Sequence, residues 1–298
     1  MKIGYFGDGV WAHCALKKIL DDQSMTVAFV CGRSYAPDPA LERMAMKASI
    51  PFITHHNVNS PDFLGQISAF SCDIFVSMSF NQIFHDKILN TPPLHVINCH
   101  AGKLPFYRGR NILNWALIND EKEFGITVHY VDRGIDTGDI IVQESYPITD
   151  SDTYKTLLEK AQSACPDLLY SSLKQIAAKQ VHLVKQQDID PVGSYCKKRS
   201  AGDEVLNWDQ NSRAVFNFIR ALCKPGPMAL SYAGGEKVYI NTAEVIPNSA
   251  PQAGVPGAVL EVGTDYLVVK TSDTSIKILE WDCMRHIKTG EQLKVKPS

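Results

Sequence analysis

The chain has 298 residues, 45% hydrophobic and 21% charged, with a formal net charge of -2; that is the profile of an ordinary globular protein long enough for a sizeable core and two domains. The near-neutral charge gives no general attraction for nucleic acid or anionic membranes, no apolar run nears the roughly 20 residues a membrane span needs, and the first apolar segment, broken by Asp8, is too short for a signal peptide. The eight cysteines contain no CxxC pair, so neither a zinc site nor a redox motif is expected, and reduced core thiols point to the cytoplasm.

In chain order, residues 2–6 read as a buried strand ending at Gly7-Asp8-Gly9, and 11–22 carry apolar residues at helical spacing. A second strand is predicted at 26–30, a helix at 39–48 and a short strand at 51–53. Ser60 is placed to cap a helix starting at Pro61. A third long strand covers 73–78, a short helix 84–89 and a further strand 96–98. Strands alternating with helices predict a doubly wound, mostly parallel α/β sheet, which binds ligands beyond the carboxyl ends of its strands. Residues 125–130 and 139–146 flank the turn Gly134-Ile135-Asp136-Thr137-Gly138 as a hairpin-like pair, and 153–179 read as a long amphipathic helix. The polar stretch 185–203 reads as a linker and 211–223 as a helix. After Pro225-Gly226-Pro227 come short strands at 237–240, 242–246, 257–262, 266–270 and 275–280, the pattern of a small β-barrel or sandwich. The expected domains are 1–184, a linker 185–205, and a helix plus small β domain at 206–298.

Asn98 and His100 lie two apart at a strand end, so both side chains can point to one side. Asp136 sits on a glycine-flanked turn that can bring it alongside. Together they can run acyl transfer without a covalent nucleophile. His100 would act as general base or proton shuttle, worth about 10²–10⁴-fold. Asp136 would orient the imidazole and stabilise its charged form. Asn98 would donate to the developing oxyanion, a contact worth about 10²–10³ in rate. Each residue also has a structural reading: a turn asparagine, a hydrogen-bonded core histidine, a turn-capping aspartate. No Gly-x-Ser-x-Gly elbow is present, which argues against a serine hydrolase.

The full string resembles the formyltransferase family that uses 10-formyltetrahydrofolate. It runs Asn98-x-His100, Leu104-Pro105-x-Tyr107-Arg108-Gly109, Gly125-Ile126-Thr127-Val128-His129, then Asp132-x-Gly134-Ile135-Asp136-Thr137-Gly138-Asp139. The resemblance is strong over 70–145 and weaker over the whole chain. It implies formyl transfer from N10-formyltetrahydrofolate, as co-substrate, to an amine, with Asn98, His100 and Asp136 catalytic. It also implies folate contacts at Gln82, Ile83, Phe84 and Arg110 and along Asp132, Arg133, Gly134 and Ile135, with no metal. Two departures stand out. Many members carry a serine and two leucines where this chain has Gly102-Lys103-Leu104. The glycine usual after the second proline of the downstream Pro-x-Pro is Met228 here.

Family members act on methionyl-tRNA, a purine precursor, water, or amino sugars carried by nucleotides. The purine enzymes generally lack a second domain, and the deformylases usually carry an extra domain before the α/β domain, whereas this chain opens on its first strand. The tRNA enzymes should be basic and carry a long basic insertion after the second strand. Residues 201–298 hold 10 Lys/Arg against 11 Asp/Glu, and the stretch 31–39 is short with one arginine. The opening Gly7-Asp8-Gly9-Val10-Trp11-Ala12 resembles the first loop of bacterial enzymes formylating dTDP-linked amino-dideoxysugars. That resemblance makes Gly9 and Trp11 candidate substrate contacts, and Lys198 and Arg199 of the linker could face a diphosphate. The expected substrate is a dTDP-linked amino-dideoxysugar, with 4-amino-4,6-dideoxyglucose favoured, for surface polysaccharide (O-antigen) biosynthesis. Methionyl-tRNA is the alternative substrate, and a non-catalytic folate-binding protein is a third reading. A homodimer through the C-terminal domain is a family-based expectation.

Overall fold

A computed structural model describes residues 1–247 and 253–297. Its elements run β1 (Lys2–Gly7), α1 (Gly9–Leu20), β2 (Thr26–Gly32), α2 (Pro39–Lys47), β3 (Phe52–Thr54), α3 (Pro61–Ser68), β4 (Ile74–Met78), α4 (Asp86–Leu89) and β5 (Val96–His100). Then come β6 (Arg108–Gly109), α5 (Ile112–Ile118), β7 (Glu123–Tyr130), β8 (Ile140–Pro147), α6 (Tyr154–Ala177), α7 (Gln186–Ile189), β9 (Tyr195–Cys196) and α8 (Ser212–Leu222). The C-terminal strands are β10 (Ala229–Ala233), β11 (Glu236–Val245), β12 (Val259–Val262), β13 (Leu267–Lys270) and β14 (Ser275–Cys283).

Two compact units result. The first comprises Met1–Gly109, Phe124–Tyr146 and Glu159–Cys196; the second comprises Arg110–Glu123, Pro147–Leu158 and Lys197–Ser298. The first holds a seven-stranded sheet in the order β3-β2-β1-β4-β5-β7-β8. Strands β1 to β5 pair in parallel, and β7 runs antiparallel to β5. The doubly wound architecture expected from the alternating pattern is therefore present. Strand order reverses between β1 and β4, the position where such sheets open a crevice for ligands. β4 is buried at all five residues, which is why it is apolar apart from Ser77.

Phe6 of β1 stands at the centre of an aromatic cluster. Phe29, Phe63, Phe75, Phe80 and Phe84 surround its ring at centroid distances of 5.0 to 6.3 Å, mostly edge-on, as the ring quadrupole prefers. Gly4 makes that density possible, since a Cβ there would fall 2.6 Å from both Phe29 and Phe75. Phe84 turns inward to join this core, and the helix after it is only the four residues of α4. Ser60 caps α3 by accepting from the Phe63 N–H, with Pro61 in the first turn.

The second unit holds a five-stranded sheet, β10-β11-β14-β13-β12. Residues 291–294 close it into a barrel. Tyr232 of β10 and Lys294 exchange both backbone hydrogen bonds, while Leu293 donates to Gly257 and Val259 donates to Glu291. Its core joins Val215 and Ile219 of α8 to Val238, Ile240, Val259, Val269, Ile276 and Ile278. The expected strands at 237–240 and 242–246 are one strand, β11, whose register against β14 breaks around Thr242. The pattern did not reveal β10. No helix among the described residues is long and apolar enough to cross a membrane.

Candidate active site

The antiparallel pairing of β5 with β7 sets Asn98 opposite His129 and His100 opposite Thr127. Asn98 Nδ2 lies 3.3 Å from His129 Nε2. The other nitrogen of His129, Nδ1, is 2.7 Å from the Tyr130 carbonyl and donates to it. His100, 8% exposed, holds Nε2 2.7 Å from the Tyr107 carbonyl. Its Nδ1 faces Asp136 Oδ2 at 3.6 Å. The loop after β5 is pinned from below. Thr127 Oγ1 donates to the Gly102 carbonyl at 2.6 Å, and Gln143 Nε2 donates to Thr127 Oγ1 and the Leu104 carbonyl, both at 2.8 Å. Gly102 has a local reason to depart from the family's serine: a Cβ there would fall 2.4 Å from His100 Nε2 and 2.6 Å from the Tyr107 carbonyl oxygen.

Asp136 reaches this cluster from a tightly folded loop. Asp132 Oδ1 accepts from the Gly134 N–H at 3.0 Å and from Thr137 Oγ1 at 2.5 Å, an Asx-type turn. At Gly138 a Cβ would meet the Tyr130 carbonyl oxygen at 1.9 Å, so the chain can pass there only as glycine. Asp136 itself adopts φ 55. Its Oδ2 accepts from the Gly109 N–H at 2.9 Å, and its Oδ1 lies 3.6 Å from His129 Nε2. Burial opposes its ionisation. The nearby imidazoles of His100 and His129 and the hydrogen bond from the Gly109 N–H outweigh that penalty and hold the carboxyl well below the usual carboxylate range. Asn98, His100 and Asp136 therefore converge, with His129 linking Asn98 to Asp136. His129 stood in the motif, but its role follows from strand register, which no short-range pattern reveals.

The remaining sequence-selected residues have varied settings. Gln82 uses its whole amide locally, accepting from Val58 N–H at 3.0 Å and donating to the His55 carbonyl at 2.8 Å. Ile83 is exposed, and the Phe84 ring is buried in the aromatic cluster. Asp132, Gly134 and Ile135 are exposed along the loop, and exposed Arg133 pairs with Asp86. Gly9 adopts φ 74 and donates its N–H to Asp38 Oδ2 at 2.8 Å, an oxygen that also contacts His13 Nε2 at 2.5 Å. Space beside the Gly9 Cα is open, and Trp11 is half-buried. Next to them Arg33 pairs with Asp8 at 2.9 Å. Arg110, Lys198 and Arg199 belong to the second unit. Arg110 and Lys198 are exposed there. Arg199 lies over the rings of Trp115 and Phe218 at 5.5 and 5.7 Å, and its N–H donates to Asn111 Oδ1.

The family model for formyl transferases matches residues 6–173, and the model for the formyl transferase C-terminal domain matches 198–289. The chain belongs to the formyl transferase family. This formyl transferase is 31% identical over 307 residues to a methionyl-tRNA formyltransferase of Pelotomaculum thermopropionicum, covering 100% of this chain and 96% of the relative. Its fold matches an N-formyltransferase from Helicobacter canadensis in complex with folinic acid and dTDP-3-aminofucose, at TM-score 0.72 and 22% identity, over 95% of this chain and 100% of that one. It also matches a sugar N-formyltransferase from Shewanella sp. FDAARGOS_354, at TM-score 0.67 and 24% identity, over 83% and 99%.

Proposed function

We propose that this formyl transferase moves the formyl group of N10-formyltetrahydrofolate to the amine of a dTDP-linked amino-dideoxysugar. The observation that carries the chemistry is the convergence of Asn98, His100 and Asp136, with Asp136 ionised between two imidazoles. The amine nitrogen bonds to the formyl carbon and the bond from that carbon to N10 breaks. Asn98 donates its amide N–H to the oxyanion that develops on the formyl oxygen. His100 takes the proton the amine loses and returns it to the departing nitrogen, with Asp136 stabilising the imidazolium in between. Folate as donor is supported by the folinic acid bound to the Helicobacter neighbour. The exposed edge from Asp132 to Ile135 is proposed as a folate contact, with the Gln82-Ile83-Phe84 segment.

Three features favour a sugar nucleotide as acceptor. The stretch after β2 is short and carries a single arginine, Arg33. The C-terminal unit lacks an excess of Lys/Arg over Asp/Glu in residues 201–298, and polyanion binding rests on such cations. The Helicobacter neighbour binds an aminosugar of the dTDP class. Gly9 and Trp11 would line the acceptor. The 31% identity to a methionyl-tRNA formyltransferase favours a second reading, formylation of methionyl-tRNA.

A thermal-shift panel separates the two, because a ligand that binds only the folded state raises its apparent stability. The expected result is a rise with dTDP-aminosugars and none with tRNA. Stabilisation by tRNA that vanishes steeply with added salt, and none by any nucleotide sugar, would overturn the sugar reading.

A further inference from the structure

The segment that leads out of the first unit crosses the two stretches of backbone that hold His100 and Asp136. Gln186, the first residue of α7, is 3% exposed, and Arg108 is 7% exposed. Gln186 Nε2 donates to the carbonyls of Asp136 and Gly138, both at 2.8 Å. Its Oε1 accepts from Arg108 Nε at 3.0 Å and Nη2 at 2.8 Å. Two donors and two lone pairs are thus all engaged. The orientation of the amide has no alternative, because a guanidinium only donates and a carbonyl only accepts.

Arg108 is itself fixed. Its Nη1 donates to the Val192 carbonyl at 3.2 Å and to Tyr195 Oη at 3.4 Å, and its guanidinium lies 5.3 Å from the centre of the Tyr195 ring. Alongside, Arg108 N–H donates to the Ser194 carbonyl at 3.0 Å, Tyr107 N–H donates to Ser194 Oγ at 3.0 Å, and β6 pairs with β9. The same strap therefore holds the backbone of Tyr107 and Arg108, whose shared peptide carbonyl faces His100 Nε2, pairs with the strand whose Gly109 N–H donates to Asp136, and bonds the carbonyls of Asp136 and Gly138.

We propose that Gln186 and Arg108 are positioning residues for the formyl-transfer reaction, a clamp that sets the separation of Asp136 from His100. Asp136 occupies the left-handed region at φ 55, which a residue with a Cβ adopts only at a cost. Two donors on the carbonyls at 136 and 138 hold it there. The inference rests on the formyl-transfer reading above.

The test compares wild type, Gln186→Met, Gln186→Glu and Asp136→Asn by steady-state kinetics and by the 15N signals of the His100 ring. Met keeps the length and removes all four hydrogen bonds. Glu keeps the acceptor for Arg108 and sets a carboxylate against two carbonyl oxygens. Both variants should lower kcat about 10- to 100-fold, the scale of an ångström of misplacement at a reacting centre. The KM of each substrate should stay within about threefold, the signature of an interaction that acts in the transition state. The His100 ring signals should move toward those of Asp136→Asn. Wild-type kcat in either variant, or a lower kcat with unmoved His100 signals, overturns the clamp. If wild type itself turns over no acceptor, the functional reading fails, and the His100 signals alone decide whether Gln186 positions Asp136.

Discussion

Replacing Asp136 by asparagine keeps the side chain's size and removes a carboxylate set 3.6 Å from both His100 Nδ1 and His129 Nε2. At that distance, with an effective dielectric constant of about 20, a pair of unit charges is worth about 5 kcal/mol. That is the largest penalty the imidazolium at His100 can suffer when the charge is lost. A barrier raised by about 4–5 kcal/mol slows turnover about 10³-fold, and the same change in a serine protease triad costs about 10⁴. The expected result for Asp136→Asn is a kcat lower by about 10³ to 10⁴, with the folate KM changed less than about threefold. A discontinuous formyl-transfer assay read by mass spectrometry resolves that range.

Stability provides an independent reading of the same charge. The Asp136 carboxyl titrates below its ordinary value in the folded chain, so the unfolded chain binds its proton first as the pH falls. Its contribution to stability is therefore fully present above about pH 4 and is lost as the pH drops toward the folded value. Unfolding free energy between about pH 5 and pH 3 should fall less steeply in Asp136→Asn than in wild type. An Asn variant that retains more than a tenth of wild-type kcat, together with an unchanged acid slope, would refute the assigned role.

Three further outcomes follow from the structure. Phe6→Ala empties the space between the five rings that surround it and should cost about 3–5 kcal/mol in urea unfolding; a loss under about 1 kcal/mol would contradict the packing. Gly109→Ala meets both a left-handed φ of 99 and the Cys196 carbonyl at 2.5 Å, so it should separate β6 from β9 and lower both kcat and the melting temperature. An unaffected melting temperature would show that the pairing is not as described. Thr127→Val strips a hydroxyl that donates to Gly102 and accepts from Gln143. Leaving those buried groups unpaired should cost about 1–3 kcal/mol in chemical denaturation, and a neutral substitution would contradict it.

Much of the first unit was legible because its strands are apolar runs punctuated by Gly, Pro and Asp, and because the cap Ser60 precedes a proline-started helix. Those signals are local, and they carry element identity well. β10 escaped because Ala229, Ser231 and Ala233 lack the β-branched and aromatic character of a typical strand; its burial comes from pairing with β11. β11 was split in two because the register break at Thr242 interrupts the alternation. The antiparallel direction of β7 is a property of topology that no local signal carries.

At the site, Asn98 and His100 could be selected as an amide and an imidazole two apart at a strand end, and Asp136 from its glycine-flanked turn, with the family resemblance of the whole string deciding the choice. His129 could not, since its place opposite Asn98 depends on the register of β5 and β7. Gln186 sat in a polar stretch read as a connector, and its burial beneath the Asp136 turn is a tertiary fact. Phe84, selected as a folate contact, has its ring committed to the core, so any contact there would fall to the backbone or to Ile83.

The account is tested most directly by mass analysis of the acceptor after incubation with N10-formyltetrahydrofolate, with wild type and His100→Asn side by side. Wild type should add one formyl group to a dTDP-linked amino-dideoxysugar and none to methionyl-tRNA, and His100→Asn should add none while still binding folate. Formylated methionyl-tRNA with untouched sugar nucleotides would contradict the proposed acceptor, and undiminished turnover by His100→Asn would contradict the chemistry.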